Sequence, residues 1–336
     1  MKLEGSKRYC RGVENYLENW MITGGAGYIG SHIAELFLSE KKRVVIYDSF
    51  TQGLRSRIEY LERKYSCSIP VVEADIRDFA RLELVLRDLD VTGIIHTAAL
   101  KSVTESFEEP DNYMEINFNA TSEILSIARK LNIKKFIFSS TAAVYGDPGT
   151  QIACQEDDKP KPISPYGISK LLAENCVTSF LSVKGNSGCS LRFFNVIGTS
   201  SPHLQDNSNA NLLPIVLKKL SEGTPPIIYG DDYPTTDGTC VRDYVDVRDI
   251  ARAHLAISKS QTKIPPILNI GTGKGISVQE IIDLVLKIKT RNDIQPLKSS
   301  RREGDPVFLC ADAKLAYTSI GFQTEYTLSE SIENLL

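Results

Sequence analysis

The most informative stretch of the sequence is TGGAGYIGS, residues 23–31, in which four of nine residues are glycine. Glycine loses more backbone freedom on folding than any other residue, so this density needs a physical reason. Gly25, Gly27 and Gly30 have the G-x-G-x-x-G spacing of a dinucleotide-binding turn, where the bare backbone approaches a pyrophosphate at a helix N-terminus. A plain glycine-rich turn is the alternative.

Short apolar runs alternate with longer amphipathic ones on both sides of this turn. The runs that predict buried strands are RVVIYD (43–48), IPVVEAD (69–75), TGIIHTAA (92–99) and KKFIFSS (134–140). The segments with helical spacing of apolar residues are SHIAELFLSE (31–40), FARLELVLRDL (79–89) and NATSEILSIARKL (119–131). This alternation predicts an α/β fold with a doubly wound parallel sheet of the Rossmann type, and a helix that begins near Ser31.

The alternation ends near residue 195, where loop-rich sequence begins. We therefore expect a dinucleotide-binding domain over 20–195 and a smaller substrate-binding domain over 196–336, with segments that return to the first. Residues 1–19 are expected to be a leader. Glu18 and Asn19 fit a buried strand poorly, so only residues 20–22 are convincing as the first strand.

Composition excludes several classes of function. A net charge of −3 over 336 residues argues against a dedicated nucleic-acid binder and favours small-molecule partners. Seven cysteines without a C-x-x-C pair are typical of reduced intracellular thiols, so neither a disulfide framework nor a metal site is expected. No apolar run approaches the roughly 20 residues that span a bilayer, and the sequence predicts a cytoplasmic protein without a membrane partner.

Asp48 and Asp75 each end a predicted strand. Asp48 closes the strand after the glycine turn, where a carboxylate accepts hydrogen bonds from an adenosine ribose and repels a 2′-phosphate, which favours NAD over NADP. A helix or turn cap is the alternative. Asp75 could face the adenine, or could be a solvent-facing turn acid.

The segment SPYGISK, residues 164–170, places Tyr166 and Lys170 four residues apart, behind a Ser-Pro pair typical of a helix N-terminus. Residues at this spacing share a helix face. A tyrosine that acts as a base near neutrality needs its pKa lowered by about 3 units, or roughly 4 kcal/mol. An ammonium about 4 Å away contributes roughly that amount at an effective dielectric constant of about 20. The alternative is an ordinary exposed pair.

Three hydroxyl residues, Ser139, Ser140 and Thr141, end a predicted strand at the edge where open α/β sheets bind ligands. A hydroxyl at that edge can stabilise or relay a proton on a reacting alcohol. Buried hydroxyls that cap the strand are the alternative.

With these motifs in order, the chain resembles the extended short-chain dehydrogenase/reductases, and among them the UDP-glucose 4-epimerases. The further stretches that carry this resemblance are HTAALKSVTES (96–106), RFFNVIG (192–198), NANLLP (209–214), YGDDYPTTDGTCVRDYVDV (229–247) and RREGD (301–305). The resemblance implies hydride transfer at C4 of a UDP-sugar through a 4-keto intermediate, with Tyr166 as base, Lys170 beside it, Thr141 as the catalytic hydroxyl and NAD retained. It also implies a homodimer formed through the helices that follow the fourth and fifth strands.

The resemblance also assigns binding residues. Those implied for NAD are Gly24, Gly27, Tyr28, Ile29, Gly30, Asp48, Asp75, Ile76, Ala98, Ala99, Lys101, Asn117, Tyr166 and Lys170. Those implied for the UDP-sugar are Thr141, Asn195, Asn211, Leu212, Tyr229, Arg242, Arg302 and Asp305. Two arginines suit a diphosphate because guanidinium groups form charge-assisted bonds to its oxygens.

Other functions remain open at this point. Thr141 is followed by Ala142 and Ala143, whereas nucleotide-sugar dehydratases and decarboxylases have acidic residues there. Epimerases of UDP-xylose or UDP-glucuronate, and a non-catalytic NAD-binding sensor, are further alternatives. Leu309 lies where the family has a residue that controls room for an N-acetyl group, so we expect N-acetylhexosamine substrates to fit.

Overall fold

A computed structural model describes residues 18–149, 151–208, 211–291, 293–302 and 304–336. Its centre is a seven-stranded parallel sheet, as predicted, with the order β10-β6-β5-β4-β1-β2-β3. The strands are β1 (Asn19–Thr23), β2 (Arg43–Asp48), β3 (Val71–Glu73), β4 (Gly93–His96), β5 (Lys135–Thr141), β6 (Ser187–Phe193) and β10 (Ile267–Ile270).

Helices cover both faces of this sheet because successive strand residues point to opposite sides. Trp20 and Ile22 of β1 pack with the helices of one face, whereas Met21 packs with those of the other. The first face is covered by α1 (Tyr28–Ser39), α2 (Arg55–Tyr65) and α9 (Val247–Lys259). The second is covered by α3 (Phe79–Asp88), α6 (Ala120–Lys130) and α7 (Pro165–Leu181). The doubly wound fold is thus confirmed.

Two small sheets lie outside the central one. In the larger, β9 (Val241–Asp246) pairs with β7 (Asn195–Ile197), β11 (Gly275–Ser277) and β13 (Phe308–Leu309). In the smaller, β8 (Ile227–Tyr229) pairs with β12 (Leu297–Ser299). The remaining α-helices are α4 (Val103–Glu108), α5 (Pro110–Tyr113), α8 (Leu212–Ser221), α10 (Val278–Ile288), α11 (Lys314–Ile320) and α12 (Leu328–Glu333). The chain beyond residue 195 also returns to the central sheet, through β10.

Three element boundaries differ from the sequence-based expectations. β1 begins at Asn19, because the Asn19 side chain donates to the Leu89 carbonyl and its backbone N–H donates to Thr92 Oγ1 at 2.9 Å. Of the expected leader, residues 1–17 lie outside the described residues. β3 is an edge strand with an exposed Val71, not a fully buried one. α1 begins at Tyr28, three residues before Ser31, so Gly30 lies in its first turn.

A single buried carboxylate joins β9 to two of its surrounding loops. Asp243 is completely buried and accepts hydrogen bonds from the backbone of Thr272, Gly273 and Ala311 at 2.8, 2.9 and 3.2 Å. The Thr272 hydroxyl donates to the same carboxylate at 2.7 Å. Thr272 and Gly273 follow β10, and Ala311 follows β13, so Asp243 fixes the small sheet to the end of the central one.

We predict that Asp243→Asn lowers the free energy of unfolding by about 3 kcal/mol. The NH₂ group of the asparagine would face backbone N–H groups, so hydrogen bonds that the carboxylate accepts would be lost. Thermal unfolding followed by circular dichroism measures the change. Asp283→Asn is the matched control, since Asp283 is exposed on α10 and accepts one bond from Gln279 Nε2. Equal thermal midpoints for the two variants would contradict this role of Asp243.

Candidate active site

The glycine turn connects β1 to α1 through contacts that admit no side chain. Gly24 has φ +67°, and a Cβ there would lie 2.7 Å from the Ala98 backbone nitrogen. A Cβ on Gly30 would lie 2.3 Å from the Gly24 carbonyl oxygen. These two glycines therefore allow β1, α1 and the segment after β4 to approach each other.

Gly27 has a different environment. A Cβ there would lie 3.0 Å from the Gly24 carbonyl oxygen, a tight contact, and would meet no other described atom within 4 Å. Gly27 is also the N-cap of α1, and among the described residues no side chain caps the first turn at Tyr28, Ile29 and Gly30. A helix N-terminus with free N–H groups and an unobstructed approach is suited to a phosphate group. This turn therefore fits the pyrophosphate of a dinucleotide.

Asp48 ends β2 directly beside this turn. Its Oδ2 accepts from the Ala26 backbone at 2.9 Å, and its Oδ1 accepts from the Phe50 backbone at 2.8 Å. Burial raises the pKa of Asp48, and the two backbone donors and Arg57 oppose that rise. The carboxylate is thus positioned by the turn, and its remaining lone pairs can accept bonds from a ribose.

Asp75 does not end a strand, because β3 stops at Glu73. Both Asp75 oxygens bind the Arg77 side chain, at 2.8 and 2.7 Å, and this hydrogen bonding lowers the pKa of Asp75. About half of the Asp75 side chain is exposed, as in a solvent-facing turn acid. Ile76 is buried and packs with Met21 and its neighbours.

The segment after β4 carries Ala98, Ala99 and Lys101, all partly or fully exposed. Lys101 Nζ lies 3.9 Å from Asp206 Oδ1, which connects this segment to the loop before α8. The buried amide of Asn117 accepts from the Leu100 backbone at 2.9 Å and donates to the Leu100 carbonyl at 3.0 Å. Asn117 therefore fixes the segment that borders Gly24.

The candidate catalytic groups lie where β5 and α7 meet. Ser164 caps α7, since its hydroxyl accepts from the Gly167 backbone at 3.1 Å, and Pro165 is the first helical residue, as predicted. Thr141 is the last residue of β5, and it lies close enough to the Tyr166 phenol to oppose the rise that burial causes in the pKa of that phenol. The strand-end hydroxyl and the helix tyrosine are thus brought together.

The expected acidification of Tyr166 by Lys170 is not found in the protein alone. Burial raises the pKa of Tyr166, and the Thr141 side chain lowers it only in part. Burial also lowers the pKa of Lys170 to about 7, against the opposing charge of Glu174. The physical reason is that surrounding protein atoms reduce the hydration of both groups, which disfavours the charged form of each.

Apart from Thr141, the residues expected to bind a nucleotide sugar lie on the small sheets, at the start of α8 and on the loops near them. Arg242 on β9 pairs with Asp305 at 3.2 Å, and the Arg302 guanidinium stacks 3.9 Å from the centre of the Tyr229 ring. Asn211 caps α8 by position and donates to Asp206 Oδ2, with Leu212 next to it as the first residue of the helix. Asn195 lies on β7 opposite Tyr244 of β9.

Sequence reasoning missed the side chains that connect these two regions. Tyr28, assigned to the cofactor, also donates its hydroxyl to the Gly198 carbonyl at 2.6 Å. Arg57 donates to the carbonyl oxygens of Ala26 and Gln205, at 3.1 and 2.5 Å. These bonds tie the glycine turn to the loops after β7, and no local pattern in the sequence marks either partner.

A buried ion pair beneath the catalytic groups was also missed. Glu174 on α7 and Arg192 on β6 are both about 1% exposed, and their closest N–O distance is 2.8 Å. Ser140 Oγ, predicted as a strand-end hydroxyl, donates to Glu174 Oε1 at 2.5 Å. Glu174 lies four residues after Lys170, a spacing that could have marked it.

No helix in the described part of the chain is long and apolar enough to cross a membrane.

Comparison with known proteins places these features in a family. The NAD dependent epimerase/dehydratase family matches residues 20–271. The UDP-glucose 4-epimerase of Streptomyces lividans is 34% identical over 307 residues, which are 90% of each chain. The solved UDP-glucose 4-epimerase of Bifidobacterium longum, in complex with NAD+ and UDP, has a TM-score of 0.88 and 32% identity over 95% of this chain and 97% of that one.

A third relative has a broader described specificity. The UDP-Glc/GlcNAc 4-epimerase of Campylobacter jejuni is 33% identical, with a TM-score of 0.80 over 95% of this chain and 97% of that one. The match to the family spans most of the chain, and the glycine turn that it includes has the open approach that a dinucleotide requires. The chain therefore belongs to the NAD dependent epimerase/dehydratase family.

Proposed function

We propose that this protein catalyses the NAD-dependent interconversion of UDP-galactose and UDP-glucose. The observation that carries the proposal is the pairing of Tyr166 with Thr141 at the sheet edge that also carries the glycine turn. UDP-glucose 4-epimerases similar over nine-tenths of the chain support the same reaction. The glycine turn would hold NAD, which would supply the acceptor for the hydride from C4 of the sugar and the donor for its return to the opposite face.

Tyr166 is proposed as the base that takes the proton from the sugar 4-OH and later returns it. Because burial raises the pKa of the phenol, its ionisation needs a positive charge nearby. A protonated Lys170 stabilises a tyrosinate by about 4 kcal/mol when the two charges are about 4 Å apart and the effective dielectric constant is about 20. The Thr141 hydroxyl would then stabilise the O4 oxygen of the sugar as that oxygen loses its proton.

The assignments for the cofactor follow the turn geometry. Gly24, Gly27, Tyr28, Ile29 and Gly30 would hold the pyrophosphate, and Asp48 the adenosine ribose. Asp75, Ile76, Ala98, Ala99, Lys101 and Asn117 would line the rest of the dinucleotide. The support for this assignment is that a Cβ on Gly27 would meet only one described residue, Gly24, within 4 Å beside the uncapped first turn of α1.

The assignments for the substrate follow charge and shape. Arg242 and Arg302 would bind the diphosphate, and Asp305 is already placed to orient Arg242. Tyr229 offers an aromatic ring that Arg302 now covers. Asn195, the last residue of the 20–195 domain, would complete the nucleotide-sugar site together with Asn211 and Leu212 of the smaller region, 196–336.

Rival reactions lack support at the same positions. Ala142 and Ala143 form the first turn of a short 3₁₀ helix after Thr141 and offer no acid for dehydration or decarboxylation. A non-catalytic NAD sensor has no use for a tyrosine placed beside the strand-end hydroxyl. Epimerisation of UDP-xylose or UDP-glucuronate stays an alternative that substrate assays separate.

Assembly as a homodimer is proposed through α6 and α7, the helices next to β4 and β5. Support comes from the outer side of these helices, where Ile168 is 43% exposed. A shallow hollow between the helices is lined by Ser122, Leu125, Arg129, Asn175, Cys176 and Ser179. The cytoplasmic location stays a prediction from composition.

We predict that purified protein interconverts UDP-galactose and UDP-glucose, and that Tyr166→Phe lowers kcat by about 10²- to 10⁴-fold, because the base is lost. A coupled assay for UDP-glucose measures both. Tyr317→Phe is the matched control, since Tyr317 is 54% exposed on α11. Undiminished exchange in Tyr166→Phe, with full activity in the control, would contradict the proposed base.

We predict that NAD co-purifies with the protein, which an ultraviolet spectrum recorded before and after denaturation would detect. We expect Gly27→Ala to abolish this co-purification. The added methyl would lie beside the first turn of α1, with no contact closer than 3.0 Å. The thermal midpoint of Gly27→Ala should equal that of wild-type protein stripped of NAD. Retained NAD in the variant would show that the pyrophosphate binds elsewhere.

We predict measurable epimerisation of UDP-GlcNAc beside UDP-glucose. Leu309 is buried with Tyr145 and Cys154 at the end of β13, and leucine is smaller than the tyrosine of some family members. Leu309→Tyr should lower kcat/KM for UDP-GlcNAc more than for UDP-glucose. No detectable turnover of UDP-GlcNAc by the wild type would refute the prediction.

A further inference from the structure

The Glu174–Arg192 pair is fully removed from solvent, yet the proposed chemistry does not use it. Arg192 Nε and Nη2 donate to the Glu174 carboxylate at 3.0 and 2.8 Å, in a forked arrangement. The Arg192 guanidinium also lies 4.7 Å from the centre of the Tyr145 ring. A buried pair of this kind is costly to desolvate and contributes little to stability relative to apolar residues.

The carboxylate contacts both segments that carry the candidate catalytic groups. Ser140, whose hydroxyl donates to Glu174 Oε1, is the residue before Thr141 on β5. On α7, Glu174 lies one turn beyond Lys170, on the same helix face. Three donors, one from Ser140 and two from Arg192, therefore fix the Glu174 carboxylate one turn beyond Lys170.

Among the described residues, Lys170 lacks a comparable set of hydrogen bonds. Its side chain is buried, and Nζ lies 4.3 Å from the centre of the Phe138 ring. Within the described ranges, no carboxylate oxygen lies within 4.0 Å of Nζ. The opposing charge that acts on Lys170 is the carboxylate of Glu174 on the same helix, and the charge of Lys170 in turn acts on the side chain of His96 on β4.

His96 does not compete for this role. Its ring is buried between Thr23 Oγ1, at 2.7 Å, and Thr121 Oγ1, at 3.0 Å. Burial, with the nearby Lys170 charge, lowers the pKa of His96 to about 3, so it is neutral at physiological pH. Glu174 is thus the anion that offsets the buried ammonium.

We propose that Glu174 is a positioning residue that keeps the buried Lys170 protonated at neutral pH, and so keeps Tyr166 able to ionise. Arg192 and Ser140 hold the Glu174 carboxylate in place for this purpose. The inference rests on the proposed function, since it assigns Lys170 the task of stabilising the tyrosinate. It needs no direct contact between Glu174 and substrate or cofactor.

The direction of the effect follows from the charges. Without the carboxylate, burial of Lys170 is no longer opposed, so Lys170 loses its proton at a lower pH. A neutral lysine does not stabilise tyrosinate, so Tyr166 ionises at a higher pH. A purely structural role for Glu174 would change stability without moving the ionisation of Tyr166.

The test is a near-ultraviolet titration of tyrosinate in the NAD-bound protein. Subtracting the same titration of a Tyr166→Phe variant isolates the signal of Tyr166. We expect Glu174→Gln to move the midpoint of that signal upward by about one pH unit, and to lower kcat at neutral pH about tenfold with little change in KM. Coincident Tyr166 titrations in wild type and Glu174→Gln would overturn the proposal.

Because Glu174→Gln leaves Arg192 buried without a counter-charge, a second variant secures the test. The double variant Glu174→Gln/Arg192→Gln replaces the ion pair by two amides and should show the same upward shift. A wild-type titration in a folded double variant would equally overturn the proposal. Glu123→Gln, which removes an exposed carboxylate on α6, is the control that should titrate as wild type.

The titration also separates this inference from the proposed function. Wild-type protein that binds NAD but exchanges no UDP-sugar would refute the function, whereas the dependence of the Tyr166 signal on Glu174 would still be measured. An active enzyme whose Tyr166 titration ignores Glu174 would refute only the inference.

Discussion

One buried chain of hydrogen bonds connects the glycine turn to the candidate catalytic helix. It runs from Thr23 at the end of β1 through His96 to Thr121 on α6. Thr121 donates to the Asn117 carbonyl, and the Asn117 side chain donates to Ser169 Oγ at 3.1 Å. Ser169 in turn donates to the Tyr166 carbonyl at 2.8 Å. The place where a dinucleotide pyrophosphate fits and the place of the phenol are therefore fixed relative to each other by the protein itself.

The second region depends on a comparable set of buried contacts. Tyr28 and Arg57 reach from the first helices to the loops after β7, and Asp243 binds β9 to the ends of β10 and β13. Because these links are hydrogen bonds to backbone atoms, they define position without requiring particular side chains in the loops. The residues proposed for the UDP-sugar are carried on a frame anchored to the cofactor side.

Local patterns in the sequence predicted what depends on local physics. The glycine spacing, the Ser164–Pro165 helix start and the period of the strands each reflect a backbone requirement, and the structure has the turn, the cap and the parallel sheet there. Prediction from the sequence failed where the structure of a residue depends on a partner distant in the chain. Asn19 is a strand residue because Leu89, seventy positions away, accepts its amide.

The electrostatics of the site could not be predicted for a related reason. From spacing alone, Lys170 should acidify Tyr166, since two charges about 4 Å apart interact by about 4 kcal/mol at an effective dielectric constant of about 20. Burial of both groups works against that interaction, and its size depends on everything packed around α7. A pocket that excludes water strengthens each charge interaction but also penalises each charge. In the proposed mechanism the Lys170 ammonium stabilises the ionised phenol only if a third group sustains its charge, and Glu174 is the buried carboxylate proposed for that role.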